Sequence, residues 1–209
     1  MNRPTRSTFR RGFTLVETIL AISITAMVGT GIATMMSVLG SDATMQFDLR
    51  SVLVRSSTAQ ARLSAYIAPA RCVLETDRDR LVLWFDDARD SDSVHASELR
   101  WIRLDRNLDR VSVDFINFPD DWSQTAVAIT DTEHASGSDW MSIRESFRSR
   151  GLLASVPLAE DVSHLAFETE SGVDHESRLV EATLHMRTST DPVEVRLTES
   201  IRMHTPPER

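Results

Sequence analysis

Lysine is missing from the chain, cysteine occurs once in its 209 residues, and no proline lies between Pro4 and Pro69. The single cysteine, Cys72, excludes an intrachain disulfide, so we expect it to be a small buried side chain. The net charge is −8 and the only cations besides histidine are arginines, which argues against broad electrostatic binding to nucleic acid. The long stretch without proline allows one helix to continue without a break.

An apolar run extends from Phe13 to Gly40, with Glu17 as its only charged side chain. At about 1.5 Å per residue, a helix of this length spans roughly 42 Å, which exceeds the ~30 Å hydrocarbon core of a bilayer. Four arginines and no acidic residue precede the run, at positions Arg3, Arg6, Arg10 and Arg11. Because cationic flanks stay in the cytoplasm, we expect a membrane-spanning helix with the N-terminus inside and the rest of the chain outside.

The positions of Gly12 and Glu17 distinguish this run from an ordinary secretory signal. A cleaved signal peptide has a short apolar region followed by a small-residue cleavage site, whereas here the small residue precedes a long run. A carboxylate inside an apolar span costs roughly 2.5–3.5 kcal/mol on insertion scales, so Glu17 requires a partner. Cleavage after Gly12 would give Phe13 a free amine about one helical turn from that carboxylate. A neighbouring chain shifted by about one turn could make this pair more easily than a single chain could.

The segment RRGFTLVE resembles the processing site of type IV prepilins and type II secretion pseudopilins. The resemblance implies that a prepilin peptidase of the inner membrane cuts between Gly12 and Phe13 and methylates the new amine of Phe13. It makes Arg10 and Arg11 leader cations, and it makes Glu17 the carboxylate that recruits the subunit by meeting the amine of a neighbour. Removal of the leader would take the net side-chain charge from −8 to −12.

The hydrophobic periodicity predicts that the helix continues beyond the apolar run. Apolar and small residues recur at three- and four-residue steps from Met45 to Tyr66, so we expect one helix over 13–67 that ends before Pro69. The predicted organisation is a basic leader at 1–12, a transmembrane helix at 13–40, an amphipathic continuation at 41–68, an extracytoplasmic β-rich domain at 69–204 and a loose tail at 205–209.

From Arg71 onward the hydrophobic period changes from about 3.6 to 2, which predicts β-strands. We predict strands at 80–85, 98–105, 110–115, 162–170, 178–187 and 192–203. The first three should form an antiparallel meander, and the last three a sheet with one buried face. A loop-rich insertion at about 120–159 should carry one short helix, capped by Ser138 or Asp139 and ending before Gly151.

The predicted fold class is therefore α+β, with a long N-terminal helix packed on a mainly antiparallel β-sheet domain, as in pilin-like proteins. The late pattern of an apolar strand, a polar loop and two alternating strands is similar to J-type minor pseudopilins and to the larger minor pilins of the W type.

Residues that could carry chemistry are scattered along the chain. The six histidines form no HxxxH or HExxH pair, and no GxSxG elbow or glycine-rich phosphate loop is present, so we predict neither a catalytic site nor a cofactor. Asp86, Asp90 and Asp92 are a weak calcium candidate. Neither the EF-hand register that starts at Asp86 nor the one that starts at Asp87 fits, which favours a solvated acidic turn. The four tryptophans, in strand-like or amphipathic settings, are expected in a core or an interface.

These observations lead us to expect a non-enzymatic minor pseudopilin of a type II secretion system, anchored in the inner (cytoplasmic) membrane by one helix. The partners that the resemblance implies are prepilin peptidase, other pseudopilins or pilins in a filament, and the inner-membrane assembly platform. Glu17 argues against a tip-capping K-type pseudopilin, which is similar but lacks that acid. Two alternatives remain open: a minor type IV pilin for twitching or DNA uptake, and a signal-anchored extracytoplasmic enzyme or binding domain that keeps residues 1–12.

Replacement of Gly12 by a bulky residue should block maturation, because the last residue of the leader would no longer be small. In membranes that contain a prepilin peptidase, the intact mass of the parent chain should match residues 13–209 with one added methyl group. The variant should keep its leader and begin at Met1. A parent chain that still begins at Met1 under these conditions would contradict the proposed processing.

Overall fold

The computed structural model describes residues 15–86, 93–188 and 191–207, with the side chains of 38–49 left out. The chain forms two compact units, Met1–Phe47 and Asp48–Arg209. Gly12, Phe13, Arg10 and Arg11 lie outside the described residues, as do Asp87, Asp90 and Asp92.

A single helix, α1, runs from Leu15 to Ile67. It continues so far because no proline interrupts it, and it ends where Pro69 prevents a further turn. The last helical hydrogen bond joins the Ala68 N–H to the Ser64 carbonyl at 3.0 Å. The predicted end of the helix at residue 67 is confirmed.

The larger sheet of the second unit has five antiparallel strands in the order β1-β2-β4-β5-β7. Its strands are β1 (Cys72–Asp77), β2 (Arg80–Trp84), β4 (Leu99–Asp105), β5 (Arg110–Ile116) and β7 (Leu153–Ala159), and β3 (Val94–His95) lies between β2 and β4 in the chain. The predicted meander of β2, β4 and β5 is confirmed. Two strands of this sheet were not predicted. They are β1 and β7, and β7 falls in the segment interpreted as a loop-rich insertion.

A smaller sheet has three antiparallel strands in the order β10-β9-β8. These are β8 (Val162–Thr169), β9 (Leu179–Met186) and β10 (Val193–Ser200), while β6 (Glu133–His134) pairs only with β3. Along β9, buried Val180, Ala182, Leu184 and Met186 alternate with half-buried polar residues, as the sequence predicted. The last strand ends at Ser200, three residues earlier than expected.

Two short helices lie between β5 and β7 in the chain, one before β6 and one after it. Helix α2 (Gln124–Thr130) was not predicted, and it buries no residue. Helix α3 (Trp140–Ser149) was predicted, and Asp139 caps it by accepting a hydrogen bond from the Ser142 N–H at 2.9 Å. Gly151 follows its end with φ +70°, a left-handed conformation that glycine adopts without strain.

The main core lies between α1 and both sheets. Ala59, Leu63 and Ile67 of α1 are each 1% exposed and pack with inward residues of both sheets. They lie at four-residue steps, which places them on one face of the helix. Burial of a Leu or Ile side chain contributes about 1.5–3 kcal/mol, so this face holds the helix against the sheets. The predicted packing of the helix on the sheet is confirmed for this part of α1.

A second core covers the other face of the five-stranded sheet, so that this sheet is buried on both faces. Trp84 and Trp101 of the sheet pack with Trp140 and Phe147 of α3. The Trp101 indole Nε1–H donates to the Trp140 carbonyl at 3.1 Å. Three of the four tryptophans therefore lie in a core, in agreement with the sequence, and Trp122 packs against it.

The C-terminal residues turn back onto the second unit. The Arg202 N–H donates to the Ala68 carbonyl at 3.0 Å, and the Thr205 N–H donates to the Arg71 carbonyl at 2.9 Å. The looseness that we expected for 205–209 therefore does not extend to Thr205, whose main chain is held by long-range pairing.

A buried ion cluster attaches α3 to the sheet. Asp114 of β5 is 1% exposed, and its Oδ2 accepts hydrogen bonds from Arg103 Nε and Arg144 Nε, each at 2.8 Å. Burial by itself would raise the pKa of Asp114, but the Ser155 hydroxyl, Arg103 and Arg144 outweigh it, so the pKa is lowered. The cluster was not predicted, because its members are far apart in the sequence.

Replacement of Asp114 by Asn should destabilise the second unit by about 3–5 kcal/mol, because it removes the buried carboxylate that Arg103 and Arg144 share. The loss of stability can be measured by heating the full chain in detergent and recording the near-UV circular dichroism of the buried tryptophans. The control Glu160→Gln removes an exposed acid outside the cluster and should change stability by less than about 1 kcal/mol. Equal melting temperatures for the two variants would contradict the cluster's role.

The same cluster predicts the direction of a pH effect. Because the folded pKa of Asp114 is below its unfolded value of about 3.9, its stabilisation is complete above that pH and is lost as the pH falls through the folded pKa. The free energy of unfolding of the Asp114→Asn variant should therefore depend less on pH in this acidic range than that of the parent chain.

Candidate functional site: the N-terminal helix

The first part of α1 has the length and composition of a membrane-spanning helix. Within the described residues, Leu15–Ser37 is the one segment of this kind, and none of it is buried inside the protein. Its large apolar side chains are exposed on every side, from Leu15 at 79% to Met27 at 78% and Met36 at 70%. A helix that is apolar all round is stable only in an apolar environment, so this segment fits a bilayer or a bundle of similar helices.

Several hydroxyl groups of this segment are satisfied within the helix. Thr25 and Thr34 each donate to the carbonyl four residues earlier, at 2.8 and 2.9 Å, and Ser23 does the same at 2.9 Å. Because the bilayer core holds no water, a hydroxyl group there needs a partner inside the protein, and these local bonds provide it. These hydroxyl groups therefore do not oppose insertion into a membrane.

Glu17 is the one ionisable residue between Leu15 and Ser37, and it lies in the first described turn of α1. The other predicted residues of the processing site, Gly12, Phe13, Arg10 and Arg11, lie outside the described residues, so their roles stay predictions.

The structure describes only the two ends of the acidic turn. Asp86 is described, whereas Asp90 and Asp92 are not. Glu98 is 2% exposed and points inward, where its Oε2 accepts from the Trp84 indole and from the His95 main-chain N–H, both at 3.0 Å. Among residues 15–86, 93–188 and 191–207, no group of three acidic, histidine or cysteine side chains could hold a metal ion.

Two groups that contain histidine are formed by residues far apart in the sequence. His164 and His185 are cross-strand neighbours with ring centroids 5.0 Å apart, and Glu194 Oε2 lies 3.6 Å from His185 Nε2. His95 Nδ1 lies 3.3 Å from the Asp131 carbonyl oxygen, while the Ser97 hydroxyl donates to the Asp131 carboxylate at 2.9 Å. In this second group Ser97 is bound to the acid instead of the imidazole, which is not the arrangement of an activated nucleophile.

Cys72 is completely buried, as the sequence indicated. Burial raises the pKa of its thiol to about 12, although the positive charge of Arg71 acts in the opposite direction. The thiolate that reacts with oxidants and alkylating agents is therefore almost absent at neutral pH.

Comparison with known proteins supports the class suggested by the N-terminus. Residues 8–33 match the family model described as the prokaryotic N-terminal methylation motif. No curated protein and no solved structure showed a significant match to the chain. The motif supports a type IV pilin- or pseudopilin-like protein that prepilin peptidase processes, and with the apolar helix it supports an inner-membrane anchor. The match ends within α1 and carries no information on a particular member.

The raised pKa predicts that Cys72 of the folded full chain is inert towards maleimide. At pH 8 only about one thiol in ten thousand would be ionised, and none of it is exposed. Labelling followed by mass spectrometry should show no adduct until the chain is denatured. The matched variant Met203→Cys adds a thiol at a position that is 76% exposed, and it should acquire one label in the folded state. Rapid labelling of the parent chain would show that the β-rich unit opens around Cys72.

Proposed function

We propose that the protein is a non-enzymatic minor subunit of a pilus-like filament, assembled through its N-terminal helix after removal of residues 1–12. The observation that carries the proposal is the methylation motif at 8–33, together with the apolar span Leu15–Ser37, in which Glu17 is the only charged residue. In this proposal Phe13 is the methylated N-terminus, and Arg10 and Arg11 are the leader cations. The motif supports processing and assembly and does not by itself indicate a chemical reaction.

The mechanism follows from the cost of an anion in an apolar environment. Cleavage creates the Phe13 amine, and the carboxylate of Glu17 meets this cation on a neighbouring chain that is offset along the helix axis. The pair lowers the cost of both charges, so a chain in the correct register is favoured over one that is misplaced. Small and hydroxyl residues along the helix allow close packing between chains as they leave the bilayer.

The finer assignment is a J-type minor pseudopilin of a type II secretion system, with other pseudopilins and the inner-membrane assembly platform as partners. The order of β8, β9 and β10 supports it, since a strand that buries Val162, Leu165 and Phe167 is followed by two strands whose exposure alternates from residue to residue. A minor type IV pilin is the alternative, because the N-terminal motif is common to both kinds of filament. In either case we propose that the N-terminus faces the cytoplasm and the β-rich unit the periplasm.

The role of Glu17 can be tested by Glu17→Ala in the full chain. Membrane insertion should be unchanged, because removal of the charge makes the span more apolar, whereas entry into the filament should fall about tenfold or more. Carbonate-resistant membrane protein measures insertion, and the sheared filament fraction measures assembly. Thr18→Ala, which alters the adjacent residue without removing a charge, is the control and should assemble normally. Normal assembly of Glu17→Ala would refute the proposed recruitment step.

A further inference from the structure

An open pocket of about 420 Å³ lies in the second unit, where the end of α1 meets the five-stranded sheet. Ala65 and Tyr66 of α1, Phe85 after β2, Arg100 of β4 and Phe115 of β5 line it. Arg100 and Phe115 are direct cross-strand partners, so the sheet fixes their relative position. The pocket thus has three aromatic walls and one cation, supplied by four separate elements of the chain.

The Arg100 side chain is held rigidly in this pocket. Its Nη1 donates to the carbonyls of Ser97 and Leu99, both at 2.8 Å. Its guanidinium carbon lies 4.8 Å from the ring centroid of Phe85 and 5.3 Å from that of Phe115. A cation fixed in advance loses little conformational freedom when a ligand binds.

Arg100 has no ion pair among residues 15–86, 93–188 and 191–207. Arg103 and Arg144, which are also sheltered from water, share the carboxylate of Asp114. Burial lowers the pKa of Arg100, although the phenol of Tyr66 and the carboxylates of Asp86 and Glu98 act in the opposite direction. A guanidinium that is partly removed from water without a bound anion is a site where an added carboxylate would be stabilised.

The remaining donors of Arg100 define the ligand. Nη1 is occupied by two carbonyls, while Nε and Nη2 make no hydrogen bond within the described part of the chain. These two nitrogens form the edge of guanidinium that binds a carboxylate through two parallel hydrogen bonds. The rings of Tyr66, Phe85 and Phe115 would cover an apolar group next to that carboxylate.

We propose that this pocket binds an acidic side chain, followed by an apolar one, on a partner polypeptide. A single charge-assisted contact gives a small free acid little net stabilisation in an open pocket, because water competes for the same donors. A peptide also places its next side chain against the aromatic walls and so buries further apolar surface. The inference does not depend on the filament role, because every residue of the pocket lies in the unit Asp48–Arg209.

The sole tyrosine of the chain, Tyr66, reports on this pocket. The full chain in detergent, labelled with 3-fluorotyrosine, should give one fluorine resonance. Titration with the capped dipeptide acetyl-Asp-Phe-amide should shift it in a saturable way, and acetyl-Asn-Phe-amide should need about tenfold or more higher concentration, because it lacks the charge. Benzoate, a free aromatic acid, should bind more weakly than the Asp dipeptide.

Variants connect the signal to Arg100. Arg100→Gln should abolish the saturable shift, and Arg100→Lys should weaken it because an ammonium lacks the planar edge. The control Arg148→Gln removes the same charge from a side chain that is 62% exposed, and it should bind as the parent does. Equal affinity for the Asp and Asn dipeptides, or no saturable shift, would overturn the proposal. Both measurements use only the parent chain, so they do not depend on how the variants fold. Benzoate binding as tightly as the Asp dipeptide would overturn the assignment to a polypeptide.

Discussion

The burial of one face of α1 is the interaction on which the β-rich unit depends. Ala59, Leu63 and Ile67 are almost completely removed from water, and both sheets pack against them. Residues Leu15–Ser37 of the same helix have apolar side chains on all faces and no packing partner inside the protein. The change from an all-round apolar surface to a single apolar face is what lets one helix serve two environments.

Both faces of the five-stranded sheet are covered, and this has an electrostatic consequence. Once α3 closes the second face, the polar residues of that face are cut off from water and must find partners inside the protein. Asp114 meets this requirement with Arg103 and Arg144, and Glu98 meets it with the Trp84 indole. Arg100 differs, because it lies near the start of β4 beside the end of α1, contacts the rings of Phe85 and Phe115 and donates to two main-chain carbonyls.

The two parts of the chain contribute different kinds of functional information. The N-terminal segment matches a family model, and the class that it supports is defined by processing and assembly. The β-rich unit showed no significant match to a curated protein or a solved structure, so its role has to be inferred from its own surface. The pocket around Arg100 is a feature of that surface with a definite chemical preference, and it is independent of the processing site.

The sequence by itself determined the long helix, its end before Pro69, six of the eight strands in the two larger sheets, the capped helix after Asp139 and the class of the N-terminal motif. These depend on local periodicity, on capping residues and on a short motif, all of which are present in contiguous residues. Only the tertiary structure decided that β7 joins the larger sheet, that α3 covers the sheet's second face, and that Tyr66, Phe85, Arg100 and Phe115 form one pocket. The physical reason is that each of these arrangements depends on contacts between residues far apart in the chain, and a local hydrophobic pattern does not state which distant residue will be the neighbour.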